Sequence, residues 1–168
     1  MRRIILSMML VVSLAGFIRA DDIVMTGPEA EKVKKEILDL LNEKGKALMK
    51  GGTTAVDFIN RHEVDNILYS GGESKLTKAQ RMKEWQTGVR RMGSRDVQNP
   101  RVRAYNNGNV AVLDYVVALD TSPQLKPGQG LKARTSHVVE VYVKHNGVWQ
   151  MLLHDSFAPS TGKGGKVE

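Results

Sequence analysis

Residues 134–157 read RTSHVVEVYVKHNGVWQMLLHDSF, with alternating apolar runs on either side of Asn146-Gly147. Asn-Gly between such runs is a strong signal for a β-hairpin. Two turns fit this segment. A two-residue type I′ turn pairs His145 with Val148, whereas a type I turn with a bulge at Gly147 pairs Lys144 with Val148. The choice matters because a one-residue slip moves every side chain of one strand to the other face of the sheet.

The bulged turn gives the more uniform apolar face. In its register the facing pairs are Val143 with Trp149, Val141 with Met151, and Val139 with Leu153. Burying three large apolar side chains contributes roughly 1.5–3 kcal/mol each, so we predict the bulged turn. The same register sets His137 opposite Asp155, where a carboxylate would fix the tautomer of the imidazole. This pair is either a polar contact at the rim of the sheet or the polar end of a pocket.

Length and composition indicate one domain with a hydrophobic core, since the chain has 168 residues of which 41% are hydrophobic. The chain has no cysteine, which excludes disulfides, thiolate catalysis and thiolate zinc sites. Removing Arg2, Arg3 and Arg19 of a predicted leader leaves 22 of the 25 basic residues against 18 acidic ones, so the net charge falls from +7 to +4. No basic stripe is interleaved with aromatic residues, and we expect no nucleic-acid partner.

Residues 1–20 have the pattern of a secretory signal peptide. Arg2 and Arg3 precede an uncharged, largely apolar run from residue 4 to residue 18, which is shorter than the ~20 residues that a spanning helix needs. Ala20 is a plausible cleavage point, and Ser13-Leu14-Ala15 is an alternative. We expect a secreted or periplasmic protein, with an intact mass that places the mature amino terminus near Asp21. An uncleaved leader would be its contact with a membrane.

Two helices are predicted at the start of the mature chain. The first runs from Pro28 to Lys50 and is stopped by Gly51-Gly52. Its apolar face has helical spacing and consists of Val33, Ile37, Leu40, Leu41 and Leu48. Thr53 or Thr54 begins a second helix that ends near His62, which we expect to be exposed.

A capping box over Thr77-Lys78-Ala79-Gln80 predicts the start of a third helix. Met82, Trp85 and Val89 share one face of it. Such a stripe is usually core, but the indole of Trp85 can also form the wall of a pocket because it offers an apolar face and one donor.

The remaining pattern has the alternation of strands, and Asp114 stands out within it. The predicted strands are Asn66–Tyr69, Val97–Tyr105, Val110–Leu119, Leu131–Lys144 and Val148–Phe157. Burying the carboxylate of Asp114 alone is costly, so it is either salt-bridged, with Arg103 or Arg134 as partner, or it belongs to a site. We predict a single domain over residues 21–158 and a disordered Gly/Lys tail over residues 159–168.

Three helices followed by a long antiparallel meander define an α+β fold. The residues that extend this pattern are Arg134, His137, Tyr142-Val143-Lys144, Asn146-Gly147-Val148-Trp149-Gln150 and Asp155-Ser156. Together they resemble the nuclear transport factor 2-like superfamily, especially its polyketide-cyclase-like and ketosteroid-isomerase-like stand-alone domains. The resemblance implies a cone, in which three helices pack in a strongly curved antiparallel or mixed sheet. It also implies that His137 and Asp155 face a cavity and that the outer sheet face forms a homodimer.

The sequence leaves three functions open. The first is a binding module that holds a small apolar ligand or a partner, in a pocket to which we assign Tyr69, Trp85, Arg103 and Arg134. The second is a cofactor-free isomerase, cyclase or dehydratase. In that enzyme His137 is the general base, Asp155 polarises it, and Asp114 or Tyr69 assists. The third is a structural dimerisation domain filled by its own side chains. We expect no cofactor, and no metal because the four histidines lack paired ligand spacing.

Overall fold

The computed structural model describes residues 24–70, 77–88, 92, 94–120 and 134–157. The helices of this part are α1 (Pro28–Lys50), α2 (Gly52–His62) and α3 (Lys78–Gln86). The strands are β1 (Glu63–Ser70), β2 (Ser94–Tyr105), β3 (Val110–Asp120), β4 (Arg134–His145) and β5 (Val148–Phe157). The predicted signal peptide, the loop at residues 121–130, Val89 and the predicted tail lie outside the described residues.

The helices α1 and α3 begin where local signals place them, whereas the predicted start of α2 at Thr53 or Thr54 is wrong: α2 begins at Gly52, with Gly51 as its N-cap and no side-chain cap. Pro28 occupies the first turn of α1, and Gly51 ends that helix with a positive φ of 68°. The capping box before α3 is present, because Thr77 accepts from the backbone of Gln80 and the Gln80 side chain accepts from the backbone N–H of Thr77. No described helix is long and apolar enough to cross a membrane.

The strands form one mixed sheet in the order β1-β5-β4-β3-β2. β1 pairs with β5 in parallel and the other neighbours are antiparallel. One side of the sheet, the inner face, packs on α1 and forms the main core. Its most buried core residues are Ala111, Leu113, Tyr115, Val117, Val138, Tyr142, Trp149 and Met151. The predicted α+β fold, with helices packed on a curved mixed sheet, is confirmed.

The predicted hairpin register is wrong. His145 pairs with Val148, so Asn146 and Gly147 form a two-residue turn in which both have positive φ, 49° and 78°. These are the angles of the type I′ turn. Trp149 therefore lies opposite Lys144, and Met151 lies opposite Tyr142.

A bulge lies farther along the hairpin, at Leu152. Tyr142 pairs with Met151 whereas Val141 pairs with Leu153, so Leu152 is the extra residue on β5. A bulge changes the face to which the following side chains point. As a result His154 lies opposite Glu140 on the inner face, and Asp155 lies opposite Val139 on the other side of the sheet, the outer face.

Candidate functional site

His137 and Asp155 are not cross-strand partners. His137 lies opposite Phe157, with ring centroids 4.9 Å apart, and Asp155 lies opposite Val139. By strand alternation both residues belong to the outer face, away from the core. The prediction that these two side chains form a direct pair is therefore wrong. Their catalytic role stays a prediction.

Asp114 is a salt-bridged residue of the outer face. Its carboxylate accepts from Arg101 Nε at 3.0 Å and from Arg103 Nη2 at 3.3 Å, and His137 Nε2 lies 4.0 Å away. Arg103 is thus a salt-bridge partner of Asp114, as the sequence suggested. Its ion pair lies on the outer face of the sheet rather than beside the core. Arg134 begins β4, and its side chain is outside the described part.

Tyr69, another predicted pocket residue, lies among charged groups. The guanidinium of Arg81 stacks on its ring at 3.9 Å, and the ring of His154 lies 5.4 Å from it. The buried Tyr69 hydroxyl has no hydrogen-bond partner within the part of the chain that the structure describes. Arg81 in turn donates to Glu63 at 2.7 Å. Tyr69 therefore borders the polar groups that fill the space between helices and sheet.

Glu140 is the centre of these groups, and its side chain is fully buried on β4. Tyr142 donates to its Oε2 at 2.6 Å. Its Oε1 accepts from Lys44 of α1, from Tyr115 at 3.0 Å and from His154 Nδ1 at 2.8 Å. We call these five residues the interior polar network. Four donors nearly exhaust the acceptor positions of one carboxylate.

The network holds Glu140 ionised. Burial alone would raise the pKa of this carboxyl, but the charge of Lys44 and the hydrogen bond from His154 outweigh it and hold the pKa well below its ordinary value. Burial and the charge of Glu140 raise the pKa values of Tyr115 and Tyr142 well above 10.0. A strongly stabilised carboxylate is a weak general base, so this arrangement supports packing and electrostatic balance better than proton transfer.

Arg95 extends the network towards α1. It donates to the backbone oxygen of Leu41 at 3.2 Å and to the hydroxyl of Tyr115 at 3.4 Å. A Cβ at Gly45 would lie 2.8 Å from Arg95 Nη1, so a glycine inside α1 leaves room for the guanidinium. None of the following was among the site residues predicted from the sequence: Arg95, Lys44, Tyr115, Glu140, Tyr142 and His154.

His62 was predicted to be exposed, and that prediction is wrong. Its side chain is buried, and Nδ1 lies 2.9 Å from the backbone oxygen of Trp149. The oxygen can only accept, so Nδ1 carries the proton and His62 ties the end of α2 to β5.

A separate cleft lies where α1, α2 and α3 meet. It has a volume of about 360 Å³ and is lined by Leu48, Met49, Lys50, Gly51, Gly52, Trp85, Gln86, Gly88 and Met92. Trp85 is 2% exposed, and its buried indole N–H has no hydrogen-bond partner among the described residues. Of the four predicted pocket residues, Trp85 is the one that lines this cleft. Tyr69 and Arg103 are not among its described lining residues.

Solved structures share this fold. An NTF2-like protein from Cytophaga hutchinsonii matches with a TM-score of 0.61 at 13% identity, over 74% of this chain and 97% of that one. A nuclear transport factor 2 (NTF2-like) superfamily protein from Salmonella enterica matches with a TM-score of 0.59 at 16% identity, over 82% and 99%.

A third similar structure is described as a putative calcium/calmodulin-dependent kinase II association domain, from Exiguobacterium sibiricum. Its TM-score is 0.59 at 13% identity, over 80% of this chain and 97% of that one. No family model and no curated protein matches the sequence. The chain therefore has the nuclear transport factor 2-like fold, as the hairpin residues and the order of elements predicted.

Proposed function

We propose that this protein is an exported binding module of nuclear transport factor 2-like fold, and that the cleft beside Trp85 holds a small apolar ligand. The cleft itself carries the proposal. Its volume of about 360 Å³ falls in the range of small-molecule sites, and Leu48, Met49, Trp85 and Met92 contribute apolar side chains to a lining that is otherwise polar. Export rests on the leader sequence.

Binding is better supported than proton transfer. The acid of the interior polar network, Glu140, is ionised and accepts from four donors. The acid of the outer face, Asp114, is engaged by two arginines. A general base needs an available lone pair, and donors already engage both oxygens of each of these two carboxylates.

Octan-1-ol, a neutral apolar probe, is expected to bind saturably in calorimetry. Met49→Asp places a charge in the cleft and should weaken binding about tenfold or more, because apolar contact is replaced by a carboxylate that must stay hydrated. Leu68→Asp makes the same kind of change at another exposed apolar side chain, on β1, outside the cleft. It should leave the affinity unchanged. Equal losses in both variants, or no saturable binding by the parent protein, would contradict the cleft as the ligand site.

Self-association through the outer face is a second candidate function. Half-buried valines at positions 112, 116, 139, 141 and 143 cover the middle of that face. Arg101 and Arg103 lie on β2 to one side of them, and Asp155 lies on β5 to the other. A two-fold axis along the strands sets β2 of one copy over β5 of a second, so basic and acidic edges face each other. The neighbour described as an association domain supports this proposal.

Val141→Lys is expected to convert a dimer to a monomer in light scattering, because it places a charge at the centre of the apolar face. Met49→Asp, far from this face, should stay dimeric. Val141→Lys should in turn keep octan-1-ol binding, which shows that it folds. A parent protein that is monomeric at high concentration would contradict the outer-face dimer.

A further inference from the structure

One row of residues across the outer face carries opposite charges at its two ends. Strand pairing sets four residues at the same height, namely Arg101 of β2, Asp114 of β3, Val139 of β4 and Asp155 of β5. Neighbouring strands lie about 4.8 Å apart, so the two ends of the row are about 14 Å apart. Arg101 and Asp155 are therefore too distant to form an ion pair within one copy of the chain.

The carboxylate of Asp155 lacks a partner of its own. Among the described residues no hydrogen bond or ion pair engages this side chain, which is half-buried on β5. Its neighbours along the same face of β5 are Leu153 and Phe157, both apolar. A carboxylate that loses water when an apolar face is covered needs a cation or donor in return. Association through the outer face therefore requires a positive group to meet Asp155.

Arg101 can supply that positive group. Its side chain is 70% exposed, and its Nε donates to Asp114 at 3.0 Å. A guanidinium has five N–H donors, so this bond leaves others for a second acceptor. Two packed sheets lie about 10 Å apart, a gap that a long arginine side chain and a carboxylate bridge together.

The symmetry of a two-fold dimer brings the two ends of the row together. An axis that runs along the strands, between β3 and β4, keeps every residue at its own height and exchanges the two sides of the sheet. It sets β2 of one copy over β5 of the other. Because Arg101 and Asp155 share a row and lie equally far from this axis, they face each other, and the contact forms twice.

We propose that Arg101 of one copy and Asp155 of the partner subunit form the ion pair that sets the register of a homodimer. This inference rests on the proposed self-association through the outer face. A slip of two residues along the axis would place Arg101 over Leu153 or Phe157 instead. Desolvating the arginine against an apolar side chain is costly, so the charges select one register. The valines provide the apolar contact, and the ion pair provides specificity.

Reversing one charge at a time tests the pair. In Arg101→Asp two acids face each other at both contacts, and in Asp155→Arg two bases do. Each variant is expected to raise the dissociation constant of the dimer about a hundredfold or more in light scattering, because like charges repel across an interface. Glu43→Arg makes the same change of charge at an exposed acid of α1, on the other side of the sheet, and should stay dimeric.

Mixing the two single variants is the sharpest measurement. In a heterodimer of Arg101→Asp with Asp155→Arg, an acid faces a base at both contacts. We expect the mixture to form heterodimers, which native mass spectrometry identifies because the two chains differ in mass. A single chain that carries both changes should likewise recover a homodimer. Recovery also shows that each variant folds.

The outcomes separate the ion pair from the dimer. If the parent protein is dimeric but both single reversals stay dimeric, or if mixing them yields no heterodimer, the ion pair is overturned and self-association stands. If Glu43→Arg weakens the dimer as much as Asp155→Arg does, net charge rather than this contact is responsible, and the ion pair is again overturned. If the parent protein is monomeric at high concentration, both proposals fail.

Discussion

Replacing Glu140 with glutamine is expected to lower the free energy of unfolding by about 3–5 kcal/mol, the usual cost of breaking a buried ion pair from one side. Glutamine keeps the size of the side chain but leaves the charge of Lys44 without its counterion. Lys44 is itself buried, and its Nζ also lies 3.7 Å from the sulfur of Met151. Denaturant unfolding followed by circular dichroism measures the change.

Removing both charges should cost much less than the sum of the single changes. In the double variant Glu140→Leu with Lys44→Met, no buried charge is left alone, although the hydroxyls of Tyr115 and Tyr142 lose their acceptor. Lys35→Met is the matched control, because Lys35 pairs with Asp39 at 2.7 Å on the exposed surface of the same helix. That pair should contribute little to stability, because solvent screens it. If Lys35→Met and Lys44→Met lowered the free energy of unfolding equally, burial would not strengthen the Lys44–Glu140 pair.

The helices could be predicted because their signals are local. Pro28 and Gly51 mark the two ends of α1, and the capping box at Thr77 marks the start of α3. Each signal acts through backbone geometry within a few residues, so no knowledge of the distant chain is needed. The strand Val148–Phe157 could be predicted for the same reason. The Asn146-Gly147 turn marks its start, and the end of the apolar alternation marks its end.

The hairpin register could not be derived from apolar area alone. By apolar area the type I′ turn is disfavoured, because it sets Trp149 and Met151 on the same face as Lys144, Tyr142 and Glu140. Partners from α1 remove that objection. Glu36 accepts from Lys144 at 2.7 Å and from Trp149 Nε1 at 2.8 Å. A polar residue on a buried face is acceptable when a distant residue satisfies it, and the sequence of the hairpin does not contain that residue.

The polar network left one signal in the sequence, at Lys44. This lysine follows Leu41 by three positions and precedes Leu48 by four, so it occupies a core position of α1. A lysine at such a position requires a buried acid as its partner. The signal does not identify the acid, because the bulge at Leu152 and the type I′ turn together decide that Glu140 and His154 share the inner face.

Raising the pH above 10 is expected to destabilise the protein steeply. Folding raises the pKa values of Tyr115 and Tyr142 well above 10.0 through burial and the charge of Glu140. Above pH 10 the unfolded chain releases these two protons whereas the folded chain keeps them. The unfolded state then binds fewer protons, and stability falls with pH. The stability that depends on these phenols is fully present below pH 10.

The expected slope is about 1.4 kcal/mol per pH unit for each phenol, or about 2.7 for the pair. Denaturant unfolding between about pH 9 and about pH 11.5 measures it, and phenolate absorbance reports which tyrosines titrate in the folded protein. Tyr142→Phe should halve the loss of stability per pH unit, because it removes one of the two phenols whose protons the folded chain keeps. Tyr105→Phe, which leaves both buried phenols in place, should keep the steep slope. A Tyr142→Phe variant with the slope of the parent protein would mean that the Tyr142 phenol ionises equally easily in the folded and unfolded chains, and its hydrogen bond to Glu140 could not then be a stable feature of the fold.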